Sequence, residues 1–478
     1  MTPTMSTFSG LNTAYTGLVA ARQGLDVVGQ NIANSNTVGY TRQRITTSAV
    51  GALGLVGPLA TAQQGGGGVS VDSIARLGSV YLDARVRSSA GLAGYSAVRA
   101  NILSDIESSL REPGENGLSA QLQEFWASWQ GLSNNAGTPA AAGIVLEQAG
   151  VLVSQIARGY DEMEAKWAHA RSELGGMADE LNAAAGQVAN LNVTIRSTLA
   201  AGGSVNELVD QRNALTTTMS ALTGATVAER PDGTIDVLLA GNAIVSGDTV
   251  RPVAVVGAYR LDGTAAAPVR LEWAHRPGSS VALTGGEIAG AVSVLAPSDA
   301  SKTGGVIAEA AQSYNDLASA LASQVNAVHR NGVTATGETG VDFFAIAPTV
   351  PAARGLSVVP KDASGIAAAA PDAGGLDGSI ADAISQLGTA AASPDTIWTG
   401  FVTRTGVVAR TELQQAALAE LAAASASNAQ LANASVDLDE ENVSLVMFQS
   451  AYQGAARVMT AVDEMLDTLI NRTGIVGR

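Results

Sequence analysis

The stretch that decides the fold is Ser435–Arg478, which reads SVDLDEENVSLVMFQSAYQGAARVMTAVDEMLDTLINRTGIVGR. Apolar residues recur in it alternately three and four positions apart, at Leu445, Phe448, Tyr452, Ala455, Met459, Val462, Leu466 and Leu469. This period is typical of a helix that packs along one side, as in a coiled coil. Asp437 and Glu440 have the spacing of a capping box, and Gly474 follows the last periodic residue as a helix stop. We therefore predict one long helix whose apolar side needs a partner.

The partner predicted from the sequence lies at the opposite end of the chain. There the same alternation of three and four residues gives the series Leu11, Ala14, Leu18, Ala21, Leu25, Val28 and Ile32. Two ends with matching stripes predict a chain that is folded back so that its first and last helices lie side by side. The alternative is that each helix simply faces the core of an ordinary domain, because the two patterns overlap over a few turns.

Composition limits the class of protein. The 478 residues are 46% hydrophobic but only 4% aromatic, with 53 Gly, which favours long, closely approaching helices in two to four domains. The net charge of −16 argues against nucleic-acid binding. The chain has no cysteine, which excludes disulfides, thiolate catalysis and Cys-ligated metals. No uninterrupted apolar run reaches the length of a membrane span, and no cleavable secretory signal is visible, so we expect no membrane insertion.

The spacing of apolar residues divides the middle of the chain into helical and strand-like segments. From Leu77 to Leu222 the period is helical, with breaks near 111–116 and 134–139. Near Ala225 it changes to two, and Pro231-Asp232-Gly233 predicts a hairpin turn. We expect a mainly α protein with an inserted β domain and a long antiparallel helical bundle in the middle. The predicted domains are 1–44 plus 436–478 (paired terminal helices, coiled-coil-like), 45–224 plus 301–435 (helical rod, with loops and short strands at 331–395) and 225–300 (β-rich insertion).

No constellation of residues predicts catalysis or a cofactor. The histidines His169, His275 and His329 stand far apart and match no metal-ligand spacing. No Gly-x-Ser-x-Gly elbow nominates a nucleophile. Glu207 and Asp210 lie one helical turn apart, as an acid pair could, but their apolar neighbours favour a structural role. We expect a protein that is not an enzyme and that holds no metal or cofactor.

Three short motifs carry a resemblance to a known family. The first is NIANSNTVGYTRQR at 31–44, downstream of SGLNTAYTGL. The second is VNELVDQR at 205–212, and the third is VDLDEE at 436–441 with AYQGAARV at 451–458. In this order and placement they resemble the axial proteins of the bacterial flagellum, which are the rod, hook and hook-associated proteins. The second and third motifs are similar to the hook-associated branch of that family.

The resemblance implies a structural role at the junction between hook and filament. It implies export by the flagellar type III system, a homo-oligomeric ring of copies, and contacts with the hook protein, the second hook–filament junction protein and a flagellar export chaperone. It places the paired terminal helices in an inner tube. The assembly interface would then consist of Leu11, Leu18, Leu25, Val28, Ile32, Asn34, Asn36, Gly39, Tyr40, Leu445, Phe448, Tyr452, Met459, Val462, Leu466 and Leu469.

Two alternatives stay open at this point. The chain could be another flagellar axial protein (hook, rod or second junction protein), or a stand-alone helical binding module. The Ala-rich first seam buries little apolar surface. Since burial of one methylene-sized group stabilises by about 0.8 kcal/mol, this seam contributes little free energy. We therefore expect the two ends to be largely disordered before assembly and to order against neighbouring subunits.

Overall fold

The computed structural model describes residues 7–51 and 66–472, of which eleven segments are α-helices. A short π-helical turn, Thr468–Arg472, follows the last of them. The helices are α1 Thr7–Ala33, α2 Val80–Leu110, α3 Leu118–Asn134, α4 Pro139–Ala200, α5 Asn206–Thr223, α6 Glu287–Val294, α7 Val306–His329, α8 Ala352–Gly355, α9 Ser379–Ser385, α10 Pro394–Ala434 and α11 Leu438–Asp467.

The strands form small antiparallel sheets. One sheet has four strands in the order β3-β4-β5-β6, and the others are the pairs β1-β2, β7-β8, β9-β12 and β10-β11. The strands are β1 Gln43–Ala49, β2 Val69–Arg76, β3 Thr226–Glu229, β4 Ile235–Leu239, β5 Asn242–Ser246, β6 Thr249–Val250, β7 Val253–Val256, β8 Arg270–Trp273, β9 Val333–Thr334, β10 Phe344–Ile346, β11 Leu356–Val358 and β12 Ala367–Ala369.

The first and last helices pack against each other, as the two matching stripes predict. Gly10 lies opposite Val462, Gly17 opposite Ala455 and Gly24 opposite Phe448. Each step of seven residues up α1 corresponds to seven residues down α11, so the two helices run antiparallel with a regular register. We call α1 and α11 together the terminal pair.

The middle of the chain is a set of long helices. α4 is 62 residues long, which corresponds to ~93 Å, and α3, α5 and α7 pack along it. α2 and α10 lie side by side over most of their length. The helix ends at Leu110 and Asn134 confirm the two predicted breaks, since both fall where turn-forming residues interrupt the apolar period.

The change of period near Ala225 marks the start of the β-rich segment, as predicted. β3 and β4 pair across the predicted turn with Val227 opposite Val237, and side chains of β4 alternate between buried and half-buried. An additional hairpin, β1-β2, joins the terminal pair to α2. The segment 45–75 is therefore a hairpin arm in its described part, and residues 52–65 lie outside the described residues.

The core is centred on α3, α4 and α7. Its largest fully buried side chains include Phe125, Trp129, Phe343 and Phe344, whose rings pack 4.8–6.3 Å apart between centroids. Among the described helices, α4 alone has the length and composition that could cross a membrane. Its inner face is buried against this core, and a core helix has the same composition.

Candidate assembly surface

The contact between the two terminal helices is built from small residues on α1. Ala14, Ala21 and Val28 are buried, and the glycines at 10, 17 and 24 face α11 between them. A Cβ atom at Gly24 would lie 2.5 Å from the ring of Phe448, whereas a Cβ atom at Gly17 would lie 3.9 Å from that of Ala455. The Phe448 ring therefore occupies the space that the missing side chain of Gly24 leaves.

The leucines of the predicted α1 seam flank this contact instead of forming its centre. Leu11, Leu18, Leu25 and Ile32 are half-buried. On α11, Val462 is buried and Tyr452 is 38% exposed. The other described members of the predicted α11 interface are half-buried: Leu445, Phe448, Met459 and Leu466. The side chain of Leu469 lies outside the described residues.

A second apolar stripe runs along α11 and has no cover among the described residues. It consists of Val443, Met447, Val458 and Met465, which are 50–71% exposed. At 3.6 residues per turn this outer stripe lies roughly 90° around the helix from the side that contacts α1. Exposed apolar side chains that share one side of a helix are typical of a surface that binds another protein.

The Asn-rich segment after α1 ends the helix and turns the chain. The Asn34 amide donates to the carbonyl of Gln30 at 3.0 Å, and its side-chain oxygen accepts from Thr37 at 3.2 Å. Gly39 has φ +81, which favours glycine. Asn36 and Gly39 are exposed, so these two predicted interface residues lie on the surface of the turn.

Asn31 and Tyr40 fix this turn from the inside. Asn31 is 1% exposed; its amide donates to the carbonyl of Gln43 at 2.9 Å, and its side-chain oxygen accepts from the Gln43 backbone amide at 3.0 Å. The Tyr40 hydroxyl donates to the same oxygen at 2.9 Å. Burial raises the pKa of Tyr40 to about 12, with smaller contributions from the negative charges of Glu207, Asp210 and Glu441, so the hydroxyl stays a donor.

Arg42 connects the start of the hairpin to α11. Its guanidinium donates to Glu441 at 2.7 Å and also to Glu440, and its backbone amide donates to the carbonyl of Ala434 at 2.9 Å. Glu441 is only 2% exposed. Burial alone would lower the pKa of Arg42, but the hydrogen bond to Glu440 and the charges of Glu441 and Glu440 raise it above its ordinary value. The guanidinium therefore compensates a buried carboxylate.

The same region reaches α5 and α2 through the second motif. Asp210 accepts from the Thr41 amide at 2.9 Å and from Arg76 Nε at 2.5 Å, and Arg76 also lies 3.5 Å from Asp83. The Gln43 side chain donates to Glu207 at 2.9 Å. Glu207 and Asp210 thus bind neighbouring parts of the fold, which is the structural role expected for them. Together with the contacts of the two preceding paragraphs they form one connected set, which we call the polar node. It consists of Asn31, Tyr40, Thr41, Arg42, Gln43, Arg76, Asp83, Glu207, Asp210, Glu440 and Glu441.

The polar node brings together all three of the sequence motifs that carry the family resemblance. Asn31–Arg44, the segment 205–212 and the first turn of α11 meet within one hydrogen-bonded cluster, although more than 390 residues separate Arg42 from Glu441. Among the described residues no group of three His, Cys, Asp or Glu side chains could hold a metal ion. The arrangement suits the fixing of one element against another.

Sequence reasoning missed the outer stripe and the polar node. The outer stripe has a signal in the sequence, because Val443, Met447, Val458 and Met465 all fall on one side of a helical wheel. The node has no comparable signal, since its partners come from four separate segments.

Comparison with known proteins places both ends of the chain among flagellar axial proteins. Residues 11–41 match the family described as "Flagella basal body rod protein", and residues 429–472 match "Flagellar basal body rod FlgEFG protein C-terminal". Residues 103–344, about half of the chain, match "Flagellar hook-associated protein FlgK helical domain". The chain therefore belongs to the FlgK family of flagellar hook-associated proteins.

Similar proteins have consistent names. Flagellar hook-associated protein 1 of Bacillus subtilis is 29% identical, with 99% of this chain and 100% of that protein aligned. The protein of the same name from Escherichia coli is 29% identical over 70% of this chain and 60% of its own length. A solved structure, the flagellar hook junction protein FlgK from Burkholderia pseudomallei, matches 74% of this chain and 99% of its own with a TM-score of 0.58 at 16% identity, which supports the fold.

Family membership settles the general role. FlgK proteins are structural components of the bacterial flagellum and not enzymes, and they assemble with other components of the hook. The prediction of a mainly α structural protein with paired terminal helices is confirmed.

Proposed function

We propose that this protein is the subunit of the junction between the flagellar hook and filament, where copies form a ring after export by the flagellar type III system. The full-length similarity to a flagellar hook-associated protein 1 supports this role. The observation that carries it is the outer stripe, because a helix that already has a partner on one side still exposes a second apolar side. Such a surface is expected of a subunit that is completed by its neighbours.

The neighbours in this proposal are other copies of the chain, the hook protein below and the second junction protein above, with an export chaperone bound before assembly. The predicted interface residues form two groups with different contacts. Those half-buried between α1 and α11 hold the terminal pair together, while Tyr452 and the outer stripe face outward to other subunits. The turn at Asn36 and Gly39 is exposed and available for contact.

Deletion of the coding region tests the proposal. We expect cells with hooks that carry no filaments and with flagellin released into the medium, seen by electron microscopy and by immunoblot of the culture supernatant. Supply of the wild-type chain from a plasmid should restore filaments. A deletion strain with normal filaments and motility would contradict the junction role.

A further inference from the structure

A groove lies at the base of the terminal pair, where α1, the first turns of α11 and the β1-β2 hairpin meet. Its volume is about 740 Å³, within the range of protein ligand sites. Val27 and Val28, each 3% exposed, and the half-buried Phe448 form its floor. Val443 and Met447, 71% and 56% exposed, stand along its side and continue into the outer stripe. We call this the base groove.

The rim of the base groove is acidic on the side of α11. Asp439, Glu440 and Glu441 line it there. Glu440 and Glu441 are bound by Arg42, but Asp439 is exposed and has no ion pair among the described residues. On the opposite side the exposed Arg44 of β1 also lines the groove. The groove thus combines an apolar floor with a carboxylate, on the α11 side only, that is open to a cation from outside.

The C-terminal tail of the chain, residues 470–478, has the complementary chemistry. Its sequence INRTGIVGR contains two arginines and no acid, although the whole chain has a net charge of −16. It also carries Ile475 and Val476 as an adjacent apolar pair between two glycines, and Ile470 is 75% exposed. Apolar side chains for the floor and a cation for the rim occur together in this short segment.

The tail cannot reach the base groove of its own chain. Arg472 is 24 residues beyond Phe448, so the groove lies at least ~36 Å away along the helical path at 1.5 Å per residue. Six further residues, even fully extended, span at most ~21 Å. A tail that occupies the base groove must therefore come from another copy.

We propose that the base groove binds the tail, residues 470–478, of a second copy of this chain. The apolar pair Ile475-Val476 lies on the floor formed by Val27, Val28 and Phe448, and an arginine of the tail pairs with Asp439. Because one end of a copy contacts a different site on the next, the interface is heterologous and closes into a ring when the rotation between copies permits. This inference rests on the proposed ring of subunits and names the contact that builds it.

A labelled peptide tests the contact directly. A fluorescent peptide of residues 468–478 is titrated with the full-length chain and followed by anisotropy. We expect saturable binding that weakens at least tenfold with the Val443→Lys variant, which removes an apolar side chain of the groove and repels the tail arginines. The Val458→Lys variant, which changes the outer stripe outside the groove, should bind like the wild type. Replacement of both tail arginines by Glu, or of Ile475 and Val476 by Ser, should abolish binding without any change to the protein.

Three other results would contradict the tail contact, the junction role or both. Absence of saturable binding, or equal binding by peptides with and without the tail substitutions, would overturn the proposal. Saturable binding and competition by a peptide of residues 1–12 would assign the groove to the N-terminal segment instead. If the peptide does not bind but the deletion strain has hooks without filaments, the tail contact is contradicted and the junction role is still supported. A motile deletion strain would contradict the junction role, whether or not the peptide binds.

Discussion

Gly24 sets the register of the terminal pair because its missing side chain makes room for Phe448. Gly24→Ala gains helix propensity but places a methyl group 2.5 Å from the ring, so Phe448 must leave its position. We expect the variant to reduce the fraction of cells that carry filaments. Gly17→Ala is the matched control, since its methyl group would make an ordinary contact at 3.9 Å. Equal filament counts for the two variants would show that close packing at Gly24 is unimportant.

Arg76 is the cation that compensates two buried acids of the polar node. Asp210 and Asp83 are 8% and 6% exposed. Arg76→Ala removes the guanidinium that pairs with both carboxylates. We expect the free energy of unfolding to fall by about 3 kcal/mol, as when one partner of a buried ion pair is removed. Denaturant unfolding measures it. Arg230→Ala, which breaks an exposed pair with Asp236, should cost no more than about 1 kcal/mol. Similar losses for both variants would contradict a special role for the node.

His329 makes the stability of the core depend on pH. Its Nδ1 lies 2.8 Å from the carbonyl of Val341, and its Nε2 accepts from the amide of Ala367 at 2.9 Å, so the folded chain requires the neutral ring. Burial lowers its pKa, against smaller opposing effects of the Val341 hydrogen bond and Asp342. Stabilisation is therefore complete above the unfolded pKa of about 6.5 and is lost as pH falls through the lower folded value.

The pH dependence can be separated from other titrations by one variant. Between pH 7.5 and 5, the melting temperature of the wild type should fall more steeply than that of His329→Gln, even though the variant is less stable at neutral pH. Thermal melts monitored by circular dichroism at several pH values give both slopes. Parallel slopes would mean that His329 does not titrate with unfolding in this range.

At the scale of single elements, the sequence predicts those structures whose cause is local. The breaks at 111–116 and 134–139 follow from turn-forming residues, and the hairpin after Val227 follows from Pro231-Asp232-Gly233, so both appear where expected. The pairing of α1 with α11 was also predictable, because the two stripes have the same period. The exact contact was not, since half of it is made by glycines that carry no hydrophobic signal.

The polar node shows where prediction from sequence ends. Arg42 binds Glu441, and Asp210 binds both Thr41 and Arg76, through contacts that span 134 to 399 residues. Nothing in the local pattern of any one segment reveals its distant partner. The family motifs could be read as a signature, but that they share one hydrogen-bonded cluster becomes visible only in the fold.

The terminal pair should open more readily than the core. The side chains that α1 buries are mainly Gly, Ala and Val, which remove little apolar surface from water, whereas α4 buries Trp167, Leu174 and Leu181 completely. We expect hydrogen exchange of the dilute monomer to be faster at residues 11–32 than along α4. Protection of residues 11–32 as strong as that of α4 would contradict the hypothesis that the ends become ordered on assembly.

At the scale of the whole molecule, we propose the division into terminal pair, helical rod and β-rich insertion as three parts with different tasks. The terminal pair presents the outer stripe and base groove, and the polar node fixes its base to α2, α5 and the hairpin. The long helices α2, α4 and α10 give the rod its length. Composition agrees with this division, because small residues favour close helix contacts and the absence of cysteine leaves packing and assembly to supply stability.

The most direct test of the central claim, that neighbouring subunits cover the outer stripe, uses the absence of native cysteine. Val458→Cys and, as a control on the exposed β-rich surface, Tyr259→Cys each give a single reactive site; the native side chains are 50% and 79% exposed. Maleimide labelling should be fast for both variants in the monomer. In purified hook-filament assemblies it should slow at least tenfold for the Val458→Cys variant alone, relative to the control. Equal labelling rates at position 458 before and after assembly would contradict the claim.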